Sequence, residues 1–440
     1  MESIKKFFKI EERGSSIKIE LIGGLTTFLT MAYILFVNPM LMGASGIDVG
    51  AVFLATAIAA GLATIAMGLF AKLPVALAPG MGLNAFFSFT VVIGMGYSWQ
   101  QALAAVLVSG IIYLVISLVG LRAKVVNAIP QSLKLAIGSG IGFFIAYIGL
   151  VNVGIIVNTG GTITALGDLK EPVALLALFG IILTIVLLAL KVKAAVFFGL
   201  VGTAIVGLFV GLVFGVAGMP ALPTFGGSLP SLTPTFGQAI IAIPSLLVHP
   251  IGWFAIFAFL FVDFFDTSGT LLAVTGQMEG VTEEDIQKAN IVDSSATVVG
   301  SILGTSTTTS YIESLSGIGA GARTGLASVV TGVLFLLSIF LAPLLSVVTS
   351  GVTAAAMVIV GTMMAGSIGK IEWEKWPIAI SSFMTILVMI LSYSISNGIG
   401  FGFLTYVIVM LFSKKGKEVS PLLYGVTAFF VIYLVLLNIL

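Results

Sequence analysis

"FVDFFDTSGT", residues 261–270, places Asp263 and Asp266 inside a run that otherwise reads as apolar helix from 250 to 278. What that stretch means depends on the medium around it. The chain is 59% hydrophobic and 8% charged, and no soluble domain has enough interior to hide that ratio. The chain is therefore an integral membrane protein, and both aspartates stand at membrane depth. Apolar stretches recur along nearly the whole length, many of them reaching the ~20 helical residues that cross a hydrocarbon core. They lack the alternating segments of about 10 residues that mark a membrane β-barrel. The fold class is an all-α polytopic bundle.

Composition excludes several chemistries. Without cysteine there are no disulfides, thiolate ligands or covalent cysteine intermediates. A single histidine, His249, rules out a histidine-rich metal centre, and its place before Pro250 at a span edge reads as interfacial rather than as a proton relay. A net charge of +1 gives no reason to expect a nucleic-acid partner, and no cofactor or metal is implied. Residues 1–19 mix Lys5, Lys6, Lys9 and Arg13 with Glu11 and Glu12 and lack the apolar core of a signal peptide, so a cytoplasmic lead-in is expected.

Spans are predicted near 20–41, 51–71, 75–95, 99–120, 131–152, 173–190, 194–217, 250–278, 287–303, 305–321, 325–349, 351–369, 375–393 and 398–413, with a last apolar stretch at 421–440. With the N-terminus inside, Lys72, Arg122, Lys124, Lys191, Lys193, Lys288, Arg323, Lys370, Lys375 and the basic run at 414–417 all fall on the cytoplasmic side, and Lys170 alone falls outside. This is the bias that retained loops carry. It supports fourteen crossings and leaves 421–440, after the basic loop, as either a fifteenth span or a helix lying at the surface, the second being the expectation. The Pro/Gly-rich connection 218–249, expected outside, divides a first unit at 20–217 from a second at 250–413, each of seven spans. An odd number inverts the second half relative to the first, the arrangement of an inverted repeat.

Matched irregularities strengthen that reading. The third span carries "ALAPGMGLNAFF" and the tenth "LGTSTTTSYIES"; Pro79, Gly80 and Gly82 break one, and a run of Thr and Ser weakens the other. Broken helices at equivalent places in two inverted halves point to a transporter's binding site, because half-helix ends expose backbone N–H groups near the midplane. Isolated glycines would serve packing alone.

Most acidic residues fall in the lead-in or in loops, where water solvates them; Asp263, Asp266 and Glu313 do not, and Asp293 is borderline. No Lys or Arg lies in the middle of a span, so these carboxylates have no buried cation, and proton uptake is the usual escape from the several kcal/mol that an unpaired buried charge costs. Glu313, Asp263 and Asp266 are therefore the candidate proton-coupling groups. Asp263, Asp266, Thr267 and Thr270 recur at i, i+3, i+4 and i+7 and form one polar stripe, which must face protein or a water-filled cavity. A site of carboxylates, an amide and hydroxyls without a basic residue repels anions. It suits a neutral molecule with several N–H donors, such as a planar heterocycle on which Phe86 or Phe87 could stack. An amine, a small amide or a bare cation would satisfy the same physics.

The four motifs in order, "LTTFLTMAYILFVNP", "APGMGLNAFF", "FVDFFDTSGTL" and "GTSTTTSYIESLSGIGAGARTGL", resemble those of the adenine/guanine/hypoxanthine branch of the xanthine/uracil permease superfamily, over essentially the whole chain. The resemblance implies two inverted seven-helix repeats, with spans 1–4 and 8–11 as a core domain and spans 5–7 and 12–14 as a gate domain. It also implies proton-coupled purine import across the plasma (inner) membrane, with a homodimer as the assembly to test. Carried over by motif, Asp263 and Glu313 clamp the purine, Asn84 supports the site from the third span, and Asp266 is a second acidic position; Thr267 and Ser310 complete the expected substrate-binding set. An aspartate at 263 and a threonine at 267, where the uracil and xanthine branches tend to carry Glu and then His or Asp, favour the purine branch. A uracil or xanthine permease and a carboxylate-lined cation channel are the rival readings. An intramembrane enzyme lacks a nucleophile with its base, and an anion carrier lacks intramembrane cations.

Overall fold

Every backbone N–H and C=O that meets lipid must be bonded inside its own segment, so the apolar runs wind into helices. The computed structural model describes residues 2–120, 128–223 and 229–439; Arg122 and Lys124, counted above in the charge bias, lie outside the described residues. The helices are α1 (Glu2–Phe8), α2 (Ile17–Met31), α3 (Ile34–Gly43), α4 (Val49–Ala66), α5 (Met81–Ala85), α6 (Trp99–Val119), α7 (Gln131–Asn152), α8 (Pro172–Ala189), α9 (Ala195–Phe214), α10 (Gln238–Leu247), α11 (Pro250–Thr275), α12 (Glu283–Leu303), α13 (Ser314–Gly319), α14 (Gly325–Leu337), α15 (Ser350–Ala365), α16 (Trp376–Leu391), α17 (Ile395–Phe412) and α18 (Pro421–Ile439). Four short strands complete the chain: β1 (Leu77–Pro79), β2 (Ile156–Val157), β3 (Ala165–Leu166) and β4 (Thr308–Ser310). β2 and β3 form a small hairpin, whereas β1 and β4 come from distant parts of the chain and pair with each other.

Among the described residues, ten helical segments are long and apolar enough to cross a membrane. Four expected spans fall outside that set for physical reasons. Those at 75–95 and 305–321 are part strand and part short helix, α12 carries Gln287, Lys288, Asn290 and Asp293 within the expected span, and α16 has 16 residues. The chain is a multi-pass membrane protein. Within the connection 218–249, residues 238–247 form α10.

The C-terminal helix differs from its expected place at the surface. α18 runs antiparallel along α17: Tyr424 donates to the carbonyl of Gly416 beyond the end of α17, and Phe430, 2% exposed, lies against Gly400 near its start. Phe429 also stacks on Phe254 of α11 at 6.0 Å between ring centroids. Burying these aromatic faces outweighs leaving them at an interface.

Two seams depend on glycine. Where the π-wound continuation of α4 (Met67–Ala71) crosses α14, a Cβ on Gly325 would stand 2.0 Å from the carbonyl oxygen of Gly68. Where α7 crosses α15, a Cβ on Gly361 would stand 2.4 Å from the carbonyl oxygen of Gly142. In lipid, close backbone approach of this kind is what holds helices together. Gly325→Val should therefore cost about 1–3 kcal/mol by overpacking and lower the melting temperature of the detergent-solubilised protein. Unchanged melting would show that the seam is loose.

Candidate functional site

The two breaks in the helical pattern answer each other. β1 and β4 lie antiparallel with Leu77 opposite Ser310, Ala78 opposite Thr309 and Pro79 opposite Thr308. The Gly80 N–H donates to the Thr307 carbonyl at 2.9 Å, and the Tyr311 N–H to the Ala76 carbonyl at 2.9 Å. Pro79 cannot donate to a ladder and Gly80 lacks a side chain that would resist the bend, so the first segment leaves helix there. The β-branched threonines of 305–309 suit a strand, and the hydroxyls of Thr305 and Thr309 are hydrogen-bonded to Asn38 and Thr267. Thr64 accepts from the Leu77 N–H at 2.9 Å, and Ser314 accepts from the Ala76 N–H at 3.0 Å, which fixes β1 between them.

α11 and α12 hold β4 through a reciprocal arrangement. Asp263 and Thr267 stand one helical turn apart on α11, as Asp293 and Thr297 do on α12. Thr297 Oγ1 lies 3.1 Å from both Asp263 Oδ2 and the Thr308 carbonyl. Thr267 Oγ1 donates to Asp293 Oδ1 at 2.7 Å and lies 2.7 Å from Thr309 Oγ1; because the Thr267 proton is committed, Thr309 supplies the proton between the two hydroxyls. The backbone N–H and hydroxyl of Ser310 both donate to Asp293 Oδ2, each at 2.7 Å. Asp293 is fully buried and its oxygens accept three hydrogen bonds that tie α11 and β4 to α12.

Beside this network lies a cavity of about 410 Å³, within the range of small-molecule sites. One wall carries Asp266, Thr270 and Glu313; the facing wall comes from α7 and α15 and includes Lys134, Ile141 and Met363. Asp266 Oδ2 stands 3.8 Å from where a Cβ on Gly80 would sit, over the start of α5. Glu313 Oε1 accepts from the Tyr33 hydroxyl at 2.7 Å. Glu313 and Met363 also line a second cavity of about 370 Å³, together with Tyr33 and Lys193, so this carboxylate stands in the partition between two spaces.

The residues singled out in the sequence thus separate into two groups. Glu313 and Asp266 reach the cavity. Asp263, Thr267 and Ser310 belong to the network behind it, Asp263 being 1% exposed with no partner on Oδ1. Asn84 is fully buried on α5, its Nδ2 3.4 Å from the Pro79 carbonyl and its Oδ1 without a partner. Phe86 and Phe87 do not face the cavity: both are fully buried and pack on Phe259, with centroids 4.7 and 6.5 Å away. His249 is exposed, with its ring edge-on to Tyr97 at 6.3 Å.

Three placements correct the sequence reading. Glu20, expected in solvent, is fully buried; it accepts from the N–H groups of Arg323 at 2.9 Å and Thr324 at 3.2 Å and so holds the start of α14. Asp293 is a hub rather than a borderline residue. "DSSAT" at 293–297 repeats the Asp and Thr spacing of "DFFDT" at 263–267, a signal that was available in the sequence. The third is Lys134, which gives the cavity the cation that the sequence reading denied it. It stands in the first turn of α7, and a lysine so close to a span end reads as a loop charge until the helix is seen to border a cavity.

Residues 18–401 match the sequence profile described as the Permease family. The chain is 50% identical to the guanine/hypoxanthine permease PbuG of Bacillus subtilis, over 99% of this chain and 100% of that protein. It is 39% identical to the adenine permease AdeQ of Escherichia coli, over 99% of this chain and 97% of that one. Among solved structures, the transmembrane domain of the cyanobacterial bicarbonate transporter BicA superposes with a TM-score of 0.64 at 18% identity, covering 90% of this chain and 96% of that domain. At that identity the likeness concerns the fold.

Asp293→Ala should strip the acceptor from buried donors on Ser310 and Thr267, at about 1–3 kcal/mol for each donor left unsatisfied. It should lower the melting temperature in detergent more than Asp266→Ala, which removes a cavity-lining group. The reverse order would show that β4 is held by other contacts.

Proposed function

Since this chain belongs to the Permease family, in its adenine/guanine/hypoxanthine branch, we propose that it is a secondary transporter, not an enzyme, and that it imports purine nucleobases by proton symport through alternating access. The observation that carries this reading is the cavity itself, with Asp266 and Glu313 on one wall and α7 and α15 on the other. The ring N–H and amino groups of a purine donate to the two carboxylates, and charge-assisted bonds of this kind contribute about 1.5–3 kcal/mol each.

Asp263 takes the proton. Its buried Oδ1 has no partner while Oδ2 receives Thr297, so a proton there neutralises a charge that the network does not balance. Asn84, Thr267 and Ser310 act behind the site by holding α5 and β4 in place.

The fold on this reading has fourteen crossings in two inverted repeats, 20–217 and 250–413, preceded by the cytoplasmic segment 1–19 and followed by the basic loop and α18 within 414–440, in the plasma (inner) membrane. Two observations support the inversion. β1 pairs antiparallel with β4, and α7 packs on α15; in each pair the third or fifth span of one half meets its counterpart in the other. Spans 1–4 and 8–11 form the core, and spans 5–7 and 12–14 form the gate.

The cavity is lined by Lys134, in the first turn of α7, at the end of the bundle that this threading assigns to the basic loops. At the other end, Tyr393 places its ring edge-on to Phe89 at 5.8 Å, Phe144 at 5.4 Å and Tyr147 at 5.9 Å. Phe89 belongs to the core and the other three to the gate, so this cluster closes the outer side and the conformation faces inward. Tyr393 holds a positive φ of 54°, a conformation costly for an aromatic residue and maintained by its surroundings.

Cells without their own purine permeases, given this protein, should accumulate labelled guanine, hypoxanthine or adenine, and collapse of the proton gradient should abolish it. Asp266→Asn and Glu313→Gln should each cut uptake by about ten- to hundred-fold, the equivalent of one charge-assisted bond. Asp263→Asn should leave substrate binding measurable while removing the response to the gradient. Accumulation of uracil alone, or strict sodium dependence, overturns the assignment. Because the chain has no cysteine, the outer closure can be read with one introduced thiol: Phe89→Cys should resist a membrane-impermeant maleimide and become labelled when Tyr393→Ala is added. Equal labelling of both proteins removes Tyr393 from the closure.

A further inference from the structure

Lys134 is the one basic residue among the described residues lining the cavity of Asp266 and Glu313. Ionised carboxylates only accept hydrogen bonds, and an ammonium only donates them. The cavity therefore has polarity: acceptors on the wall built by α11 and the β4–α13 connection, and a donor on the opposite wall built by α7. The separation suits one small molecule held between them. Ile141, level with α5 through its contact at Gly82, is seven residues along α7 from Lys134, which is about 10 Å at the helical rise, and the flexible lysine stem shortens that gap from its own side.

Purines differ in how they meet such a pair of walls. A 6-oxopurine presents the O6 and N7 acceptors side by side and keeps its N–H donors on another edge; adenine places an amino donor where the oxopurine has O6. Lysine against the O6/N7 edge is a favourable pairing, and a mismatch at one base edge weakens recognition. An ammonium facing the adenine amino group sets donor against donor in a partly buried site and leaves it N7 alone to donate to, where an oxopurine offers both O6 and N7.

We infer that Lys134 is a specificity-determining residue that selects 6-oxopurines over 6-aminopurines, by donating to the O6/N7 edge while Asp266 and Glu313 accept from the N–H edge. The inference rests on the purine-transport reading above and adds to it which purines are preferred and which group discriminates them.

The test measures uptake of labelled hypoxanthine, guanine and adenine by the full-length protein in permease-deficient cells. Membrane abundance is determined by immunoblot, and selectivity is expressed as the ratio of kcat/KM for hypoxanthine to that for adenine. The wild type should favour hypoxanthine, Lys134→Met should lower the ratio by about ten-fold or more, and Lys134→Arg, which retains donors to the same edge, should preserve most of it. The inference is overturned by a wild type that prefers adenine. It is also overturned by a Lys134→Met protein, present in the membrane at normal abundance, whose ratio is unchanged because all purines fall together or none does. If Lys134→Met fails to reach the membrane, Lys134→Gln is read in its place by the same ratio. Failure of the wild type to take up any purine overturns the transport reading itself, and the inference with it, which separates the two outcomes.

Discussion

The structure depends on one constraint of the lipid phase: backbone that leaves the helical pattern at membrane depth must find its hydrogen bonds elsewhere. Here two departures satisfy each other. β1 and β4 supply the ladder, Ser314 and Thr64 take up backbone groups at its flank, and the Asp293 carboxylate receives the Ser310 N–H. Neither strand would be tolerated without the other, and their pairing brings segments more than 200 residues apart in sequence to one place. The cavity follows from it. Asp266 over the start of α5 and Glu313 just beyond β4 are near each other because the two breaks are paired.

The carboxylates then divide their work by burial. Asp293 is saturated by donors and serves the architecture, Asp263 is half satisfied, and Asp266 and Glu313 border open space. Four acidic groups of the same chemistry acquire different capacities from the number of donors placed around each, as expected where desolvation makes every missing partner expensive.

Much of this was legible in the sequence. Composition gave the membrane, hydropathy located the long helices, and Pro79, Gly80 and the threonine run marked both breaks. Asp266 and Glu313, which border the cavity, were marked out by the cost of a charge in lipid. The choice between Asp263 and Asp266 for the cavity was not, because three residues on a helix differ by a rotation of 300° and one sequence does not tell which side of a polar stripe meets β4 and which meets the opening. Glu20 and Lys134 were misread for a related reason. Residues near span ends look solvated until a neighbouring helix end, here α14, or a cavity wall is packed against them. The course of α18 was hidden in the same way, since its aromatic partners on α11 and α17 become neighbours only in three dimensions.

The glycine seams bear on how such a bundle could rearrange. Where α7 meets α15 at Gly142 and Gly361, and where the end of α4 meets α14 at Gly68 and Gly325, main chain rests on main chain with no side chain between. Surfaces interlocked at that range have no lubricating layer and resist shear. The boundary between α11 and α7 is different, because it is padded by long side chains and hollowed by the cavity. The softer boundary is where one block gives against the other at least cost, while each glycine-locked pair behaves as a unit.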